Sequence, residues 1–414
     1  MISPYEFLNI SLDKILNFEA KRNFSLLNAF AKIENEKIFG KNNYQIINTY
    51  NQCVHSANNY WKKKVLLHPL TTWWCQRVAY LYACIENKKT FLIDYDPVVS
   101  KQNLPDDLIL QFFRIIYPIA KSYNNLNLPA FRNFIHLPLL NINLEIKLEK
   151  FWNSVQVPNF LDNENECTYN ADDFIINHLL IQSITFPNNI KAAPISLGSK
   201  NFEDAKKTLE NTMSLLNEIW PELHIEVNRY LRSVVFVRDP SQSGNGNLSI
   251  SSSTRDLSGL ILISNSSPDL MIESVVHEIS HNILYSHMEI ENFLDQRLSE
   301  ECIFYSPWRP DIRPAIGVIH ACFVFLYVAK MYLKLFELKK DQRYQTKSLK
   351  NIKKILFAID PIIEKVNWNE KGKIFINKIK SESSDMLKYF NEDLKKIMDQ
   401  EILDDYNDWK KKQK

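Results

Sequence analysis

Residues 277 to 287 read HEISHNILYSH, and this stretch decides what the surrounding fold has to provide. His277, Glu278 and His281 form an HExxH pattern, in which two histidines four residues apart share one face of a helix. The pattern is typical of zinc metallopeptidases, where the glutamate acts as a general base. Other metal enzymes use the same pair of histidines, so a third ligand is needed to identify the chemistry.

The composition predicts a folded and largely helical protein. Of 414 residues, 45% are hydrophobic and 12% aromatic, which is enough for a substantial core. Lys and Arg number 50 against 48 Asp and Glu, so no excess of charge points to nucleic acid. With only seven glycines, we expect an α+β fold that is predominantly helical, with a small sheet beside an HExxH metal-binding helix.

Several features predict a cytoplasmic protein without a membrane segment. The six cysteines contain no CxxC pair, as expected for reduced thiols. No signal peptide is visible at the N-terminus. The longest apolar run, residues 314–329, is short for a membrane span and contains His320, so we interpret it as a buried core helix. The sequence gives no prediction of the oligomeric state.

We divide the chain into a mostly helical N-terminal region, residues 1–195, and a metal-binding catalytic region, residues 196–414, which together form one compact unit. In the first region, amphipathic periodicity predicts helices such as Leu8–Lys32 and Thr72–Glu86. The first helix of the second region is predicted over Asp204–Trp220.

The residue composition changes in the segment before the HExxH motif. His224–Val237 is rich in Val, Ile and Tyr and predicts one or two strands, and Leu257–Ser264 predicts another. Ser266 or Ser267 then caps the next helix, with Pro268 near its first position. Strand, cap and HExxH helix follow in this order in metallopeptidases too, so the layout does not identify the chemistry.

Three residues are candidates for the third ligand. His287 has the spacing of a metzincin ligand, but Leu284 replaces the glycine that turns the chain there, which favours a solvent-facing or capping histidine. Glu301 has the spacing of a gluzincin ligand, although acidic residues are common in this segment. His320 is the only ionisable side chain within its apolar helix, and Gly317 one turn earlier would allow close helix packing. A lone histidine of this kind is more often a core residue than a ligand.

The segment 305–314, YSPWRPDIRP, contains Arg309 and Arg313 ahead of the apolar helix. Arginine suits carboxylate binding, and a helix N-terminus favours an anion. Arg313 and His320 are about 10 Å apart along a helix at 1.5 Å per residue, which leaves room for a small dicarboxylate. The alternative is that both arginines form structural salt bridges with Asp311 or Glu300.

Together, HEISH, SPWRPDIRP and GVIHACFVFL resemble the αKG-HExxH-type peptide β-hydroxylases, the HExxH-motif proteins of peptide-modification gene clusters. The family pattern is close to HExxH, then PWRxDPRP, then GxxHxxxxF; Ile312 stands where the family often has proline. The resemblance is specific over residues 277–325. Outside that range it is weak, consisting of LLHPLTTWW at 66–74, with His68 and Trp73, and the serine-rich segment at 251–254.

The resemblance implies a non-haem Fe(II), 2-oxoglutarate-dependent dioxygenase that uses O2 to hydroxylate a side-chain β-carbon in a ribosomally made precursor peptide. His277, His281 and His320 would bind the iron, and Arg309 and Arg313 the cosubstrate carboxylates. Glu278 would orient a ligand or a water, or bind the metal. Ser251–Thr254 would line the peptide groove.

Two other functions stay open from the residues alone. The first is a zinc metallopeptidase of the gluzincin type, with Glu301 as ligand and Glu278 as general base. The second is a non-catalytic peptide-binding protein, with HExxH as a chance match or a structural metal site. The substrate peptide and the residue modified are not predicted.

Overall fold

The computed structural model describes residues 12–32, 66–67, 71–75, 193–195, 200–238, 250–253, 255–291, 293 and 302–412. Within them the protein is mostly helical with small sheets, which confirms the predominantly helical α+β class. Most of the predicted N-terminal helical region lies outside the described residues, and the boundary at residue 195 stays a prediction. The chain divides into two compact units, one of Met1–Leu12, Lys207–Val227 and Ser266–Lys414, the other of Asp13–Lys206 and Asn228–Asn265.

The second unit contains a four-stranded sheet. Its strands are β1 (Ala193–Pro194), β2 (Ser233–Arg238), β3 (Ser251–Ser252) and β4 (Leu260–Ser264), in the order β1-β2-β4-β3. The central strands β2 and β4 are parallel, whereas β1 and β3 pair antiparallel at the two edges. The apolar residues of β2 and all of β4 are buried, as expected for parallel strands with both faces covered. Helix α1 (Leu12–Lys32) also contributes to this unit.

The prediction of strands over His224–Val237 is wrong in its first half. The chain forms helix α2 (Lys200–Ile219) and then a second helix, α3 (Pro221–Tyr230), before β2 begins. Pro221 occupies the first helical position, where its missing N–H costs nothing. Leu223 and Val227 are buried one turn apart, while Ile225 is 56% exposed. The burial pattern is therefore helical, and it outweighs the β propensity of these residues.

The first unit is a stack of long helices. They are α4 (Pro268–Ile290), α5 (Ala315–Lys339), α6 (Gln342–Lys365), α7 (Glu370–Met386) and α8 (Glu392–Lys412), with a β5–β6 hairpin (Ile303–Ser306 and Asp311–Pro314) between α4 and α5. Helix α5 packs against α4, α6 and α7. It is the one described helix long and apolar enough to cross a membrane, and 78% of its most apolar window is buried. Its burial confirms the predicted core helix.

Helices α4 and α5 are antiparallel, because contacts that advance along α4 step back along α5. Near the start of α4, Asp269 accepts a hydrogen bond from Lys339 at 2.7 Å. One turn later Glu273 accepts one from Tyr332. Two turns after that, His281 faces His320. These polar contacts set the register of the two helices.

A lysine is buried in the same apolar helix. Only 2% of the Lys330 side chain is exposed, and its ammonium group donates to Glu382 of α7. The ammonium group also lies 4.6 Å from the centre of the Tyr327 ring. A buried charge of this kind is retained only when it is paired, so the contact ties α7 to α5.

Two helical glycines provide a matched test of the packing. A Cβ on Gly372 of α7 would lie 2.0 Å from the Phe293 carbonyl oxygen and 2.7 Å from the Trp368 ring, whereas one on Gly317 of α5 would meet no described atom within 4 Å. We expect Gly372→Ala to lower the free energy of unfolding by about 3 kcal/mol or more. Gly317→Ala should raise it by about 0.5–1 kcal/mol, since alanine favours helix. Denaturant titration measures both, and equal effects would contradict this packing.

Candidate active site

Helix α4 positions the HExxH residues and begins as predicted. Ser267 is its N-cap and Pro268 stands at the start, although the Ser267 side chain makes no capping hydrogen bond. The helix continues through Leu284 to Ile290, so the chain does not make the turn that a metzincin site requires. His277 and His281 lie on one face, with ring centres 4.8 Å apart.

His320 of α5 lies against this face. Its Nδ1 is 3.4 Å from Nδ1 of His281, and the two rings are nearly parallel, at 18°, with centres 5.6 Å apart. His320 is buried, with 4% of its surface exposed. Of the two candidate third ligands that lie within the described residues, His287 and His320, the structure brings His320 against the HExxH face.

The environment keeps the HExxH histidines neutral. Burial, and then the positive charge of Arg309, lower the pKa of His277 to about 4. Burial and the neighbouring His277 lower the pKa of His281 to about 3; Glu278 opposes this effect and Arg309 adds to it. Neutral imidazoles offer a lone pair to a metal, so both groups can act as ligands at neutral pH without first losing a proton.

The geometry fits a metal ion in part. Two nitrogen ligands at metal distances of about 2.0–2.1 Å are roughly 3.4 Å apart around a tetrahedral ion, and the His281–His320 nitrogen pair has this spacing. Among the described residues, however, no three His, Cys, Asp or Glu side chains are arranged to hold a metal. All three donors therefore fit in chemical type, His277 and His281 also in charge, and His281 and His320 also in spacing. The assignment of all three histidines as ligands stays a prediction.

Aromatic side chains flank the histidines on both sides. The Tyr285 ring, one turn after His281, lies 4.4 Å from that of His320. The Phe325 ring of α5 contacts the His277 ring edge-on, with ring centres 4.9 Å apart. Trp308 stacks on Phe325, with ring centres 4.9 Å apart and ring planes 6° from parallel. The sequence contained these residues within its motifs, but helical spacing alone gave no sign of the contacts, which depend on the α4–α5 register.

The arginine segment forms a hairpin rather than an irregular loop. Strands β5 and β6 pair antiparallel around the turn 307–310, and the Trp308 indole donates to Asn351 Oδ1 of α6 at 3.3 Å. Trp308 is therefore fixed from two sides, by this hydrogen bond and by its stacking on Phe325. The hairpin is anchored next to the histidines through the residue that precedes Arg309.

The two arginines occupy different environments. Arg309 makes the electrostatic contribution noted above to both HExxH histidines, and its own pKa is lowered by burial and by Arg313, against the opposing charges of Asp311 and Glu278. Arg313 instead forms a two-pronged pair with Asp311, at 2.9 and 3.2 Å. For Arg313, the salt bridge weighed from the sequence is present. Glu278 is buried, with 3% of its surface exposed.

The remaining candidates lie elsewhere or outside the described residues. His287 is buried and packs against Phe293, so the solvent-facing interpretation was wrong, although its carbonyl does accept the helix-capping bond from Glu291. Glu301 and His68 are outside the described residues. Trp73 is buried, as expected for packing. The role of Ser251–Thr254 stays a prediction. Gly317 does not serve close packing against a described helix, because a Cβ there would meet no described atom within 4 Å.

No family model and no curated protein sequence matches this chain.

The depressed histidine pKa values predict acid sensitivity of the metal-free protein. The folded values of about 4 and 3 lie below the ordinary value of 6.5, so the unfolded chain takes up protons first as the pH falls. The contribution of each neutral histidine to the free energy of unfolding is fully present above about pH 6.5. It decreases as the pH falls towards the pKa of the folded state, by about 1–2 kcal/mol for each histidine at pH 5. Denaturant titrations at pH 7 and pH 5 should show a smaller loss in His281→Gln than in the wild type. Equal losses would contradict the buried neutral state.

Proposed function

We propose that the protein is an Fe(II)/2-oxoglutarate-dependent dioxygenase that hydroxylates a side-chain β-carbon in a ribosomally synthesised precursor peptide. The proposal rests on the resemblance over residues 277–325. The observation that supports it most is the contact between His281 and His320, which unites two separate segments of the motif. The position of Arg309, whose charge acts on His277 and His281, is consistent with it.

In this proposal each group has a distinct task. His277, His281 and His320 hold the metal, and desolvation, which lowers the pKa of His277 and His281, keeps these two neutral. Arg309 binds a carboxylate of 2-oxoglutarate near the histidines, and Arg313 contributes once it releases Asp311. Glu278 orients a ligand or a water beside His281. Trp308 and Phe325 position the arginine hairpin relative to His277 and help to exclude water.

O2 would be the oxidant and 2-oxoglutarate the co-reductant, with a bound iron ion activating the O2: 2-oxoglutarate loses CO2 and takes one oxygen atom to become succinate, and the other oxygen atom converts a C–H bond into C–OH. This reaction requires a site with three protein ligands and open positions, and imidazoles suit Fe(II). It also requires an anion anchor within reach of the metal, for which arginine is well suited. A zinc peptidase does not need two rigidly mounted arginines beside its metal.

The first test needs no substrate peptide. Anaerobic addition of Fe(II) and then 2-oxoglutarate should give the weak visible charge-transfer band of the chelate, saturating with 2-oxoglutarate. We expect His277→Ala, His281→Ala and His320→Ala each to abolish the band, whereas His287→Ala, which removes a buried histidine of the same helix, should keep it. A normal band in His320→Ala would remove the proposed ligand set. No band in the wild type, with one tightly bound zinc and cleavage of generic peptides, would favour the peptidase instead.

The arginines should differ in the same titration. Arg309→Ala should raise the 2-oxoglutarate concentration needed for half the band roughly tenfold or more, because a charge-assisted pair with a carboxylate is lost. Arg313→Ala should raise it less, since Asp311 already occupies that guanidinium. Asp311→Asn should lower it by releasing Arg313. If neither arginine variant changed the 2-oxoglutarate concentration needed for half the band, the assignment of both arginines would be contradicted. Peptide binding that does not depend on metal would favour a non-catalytic protein.

A further inference from the structure

Within the described part of the chain, one edge of hairpin strand β6 has no pairing partner. Strand β6 pairs with β5 in a two-stranded sheet, and no other described strand joins it. Three of its four residues are exposed, and Ile312 is 48% exposed. An unpaired edge offers main-chain hydrogen bonds to any extended chain that reaches it.

The pairing register shows which groups face outward. The N–H of Ala315 donates to the carbonyl of Cys302 at 2.8 Å, in line with the ladder that pairs Phe304 with Arg313. In an antiparallel pair, successive residues of a strand direct their backbone N–H and C=O alternately towards and away from the partner strand. The N–H and C=O of Arg313 therefore face β5, and those of Ile312 face away from it. Pro314, which has no N–H, also takes an outward position, as proline does on edge strands. The outer edge thus offers the N–H and C=O of Ile312.

Gly317 lies between β6 and His320 in the chain. It lies in the first turn of α5, three residues before His320, and is exposed. Its backbone does not have the positive φ that would require glycine, and an added Cβ would meet no described atom within 4 Å. Glycine here costs helix stability, and no contact with a described residue requires it, so the space beside it is open to a ligand. Glycine allows close approach of a ligand backbone.

We propose that an extended peptide binds as a third strand on the outer edge of β6, through the N–H and C=O of Ile312, and crosses Gly317 to reach His320. Its identification as the substrate rests on the proposed function. Recognition is through the main chain and therefore requires an extended conformation rather than a particular charge. A second copy of this chain is a poorer occupant, because the two copies of a four-residue strand ending in proline bury far less area than the roughly 1,200 Å² or more of a specific interface.

The probe is acetyl-Thr-Val-Thr-Val-Thr-Val-amide, an uncharged peptide of β-branched residues. With isoleucine methyl groups labelled, millimolar peptide should shift the Ile312 signal, which Ile312→Val identifies by deleting it. Calorimetry should then show that Ile312→Pro, which lacks the N–H, binds about two- to tenfold more weakly, as expected for one hydrogen bond. Ile312→Val keeps the N–H and should bind like the wild type. A probe methylated on its central amide nitrogens should lose affinity similarly.

Substitutions of Gly317 provide an independent test of the proposed peptide site. Gly317→Leu places a large side chain in the space beside residue 317 and should weaken binding of the probe at least as much as Ile312→Pro does. Gly317→Ala should have a smaller effect on the affinity. An unshifted Ile312 signal, or unchanged affinity in Ile312→Pro, would overturn the proposal. So would a sedimentation coefficient that drops to the monomer value in Ile312→Pro, since the occupant would then be a second copy.

The chelate band separates this inference from the proposed function. Ile312→Pro and Gly317→Leu should form the band at wild-type 2-oxoglutarate concentrations, because the peptide edge does not hold the metal. A wild-type band together with a failed peptide experiment rejects the strand edge alone. Probe binding without a wild-type band rejects the dioxygenase and leaves the strand edge as a peptide site.

Discussion

The antiparallel register of α4 and α5 is the constraint on which the candidate site depends. A shift of one residue along either helix rotates its side chains by about 100° and would separate His281 from His320. The register is held at the far end, where Asp269 and Glu273 meet Lys339 and Tyr332. A polar cluster two to three turns before His281 thus determines whether the histidines can share a metal ion. In this sense the site is a property of the helix pair rather than of the HExxH sequence.

Local signals in the sequence predicted the elements of this pair well. Pro268 and its preceding serine mark the start of α4, and the uninterrupted apolar run identifies α5 as a core helix, because both signals depend on neighbours in the chain. These local signals do not indicate which faces of α4 and α5 pack together. Phe325 and Trp308 therefore went unassigned, although both belong to the motif that carries the resemblance. The α3 error has the same origin, since burial at helical spacing outweighed the β propensity of Ile225 and its neighbours.

The arginines show the limit of spacing arguments more clearly. Measured along a helix, Arg313 is the residue placed to reach back towards His320. The chain instead forms a hairpin, in which Arg313 is paired with Asp311 and Arg309 is electrostatically coupled to the HExxH motif. Prolines in a short segment predict stiffness, but they do not distinguish a turn between paired strands from an extended loop. The cross-strand register that decides the matter is a non-local interaction.

The apolar surface of α5 also has a consequence for biosynthesis. The helix is covered by α4 from the N-terminal side of the sequence and by α6 and α7 from the C-terminal side. A ribosome releases the chain in order, so α5 emerges before two of its three helical partners exist, and the apolar residues that pack against α6 and α7 stay uncovered until translation has passed Met386. Nascent chains in this interval resemble the aggregation-prone intermediates of larger proteins. We therefore expect chaperones to protect this face of α5 while α6 and α7 are being synthesised.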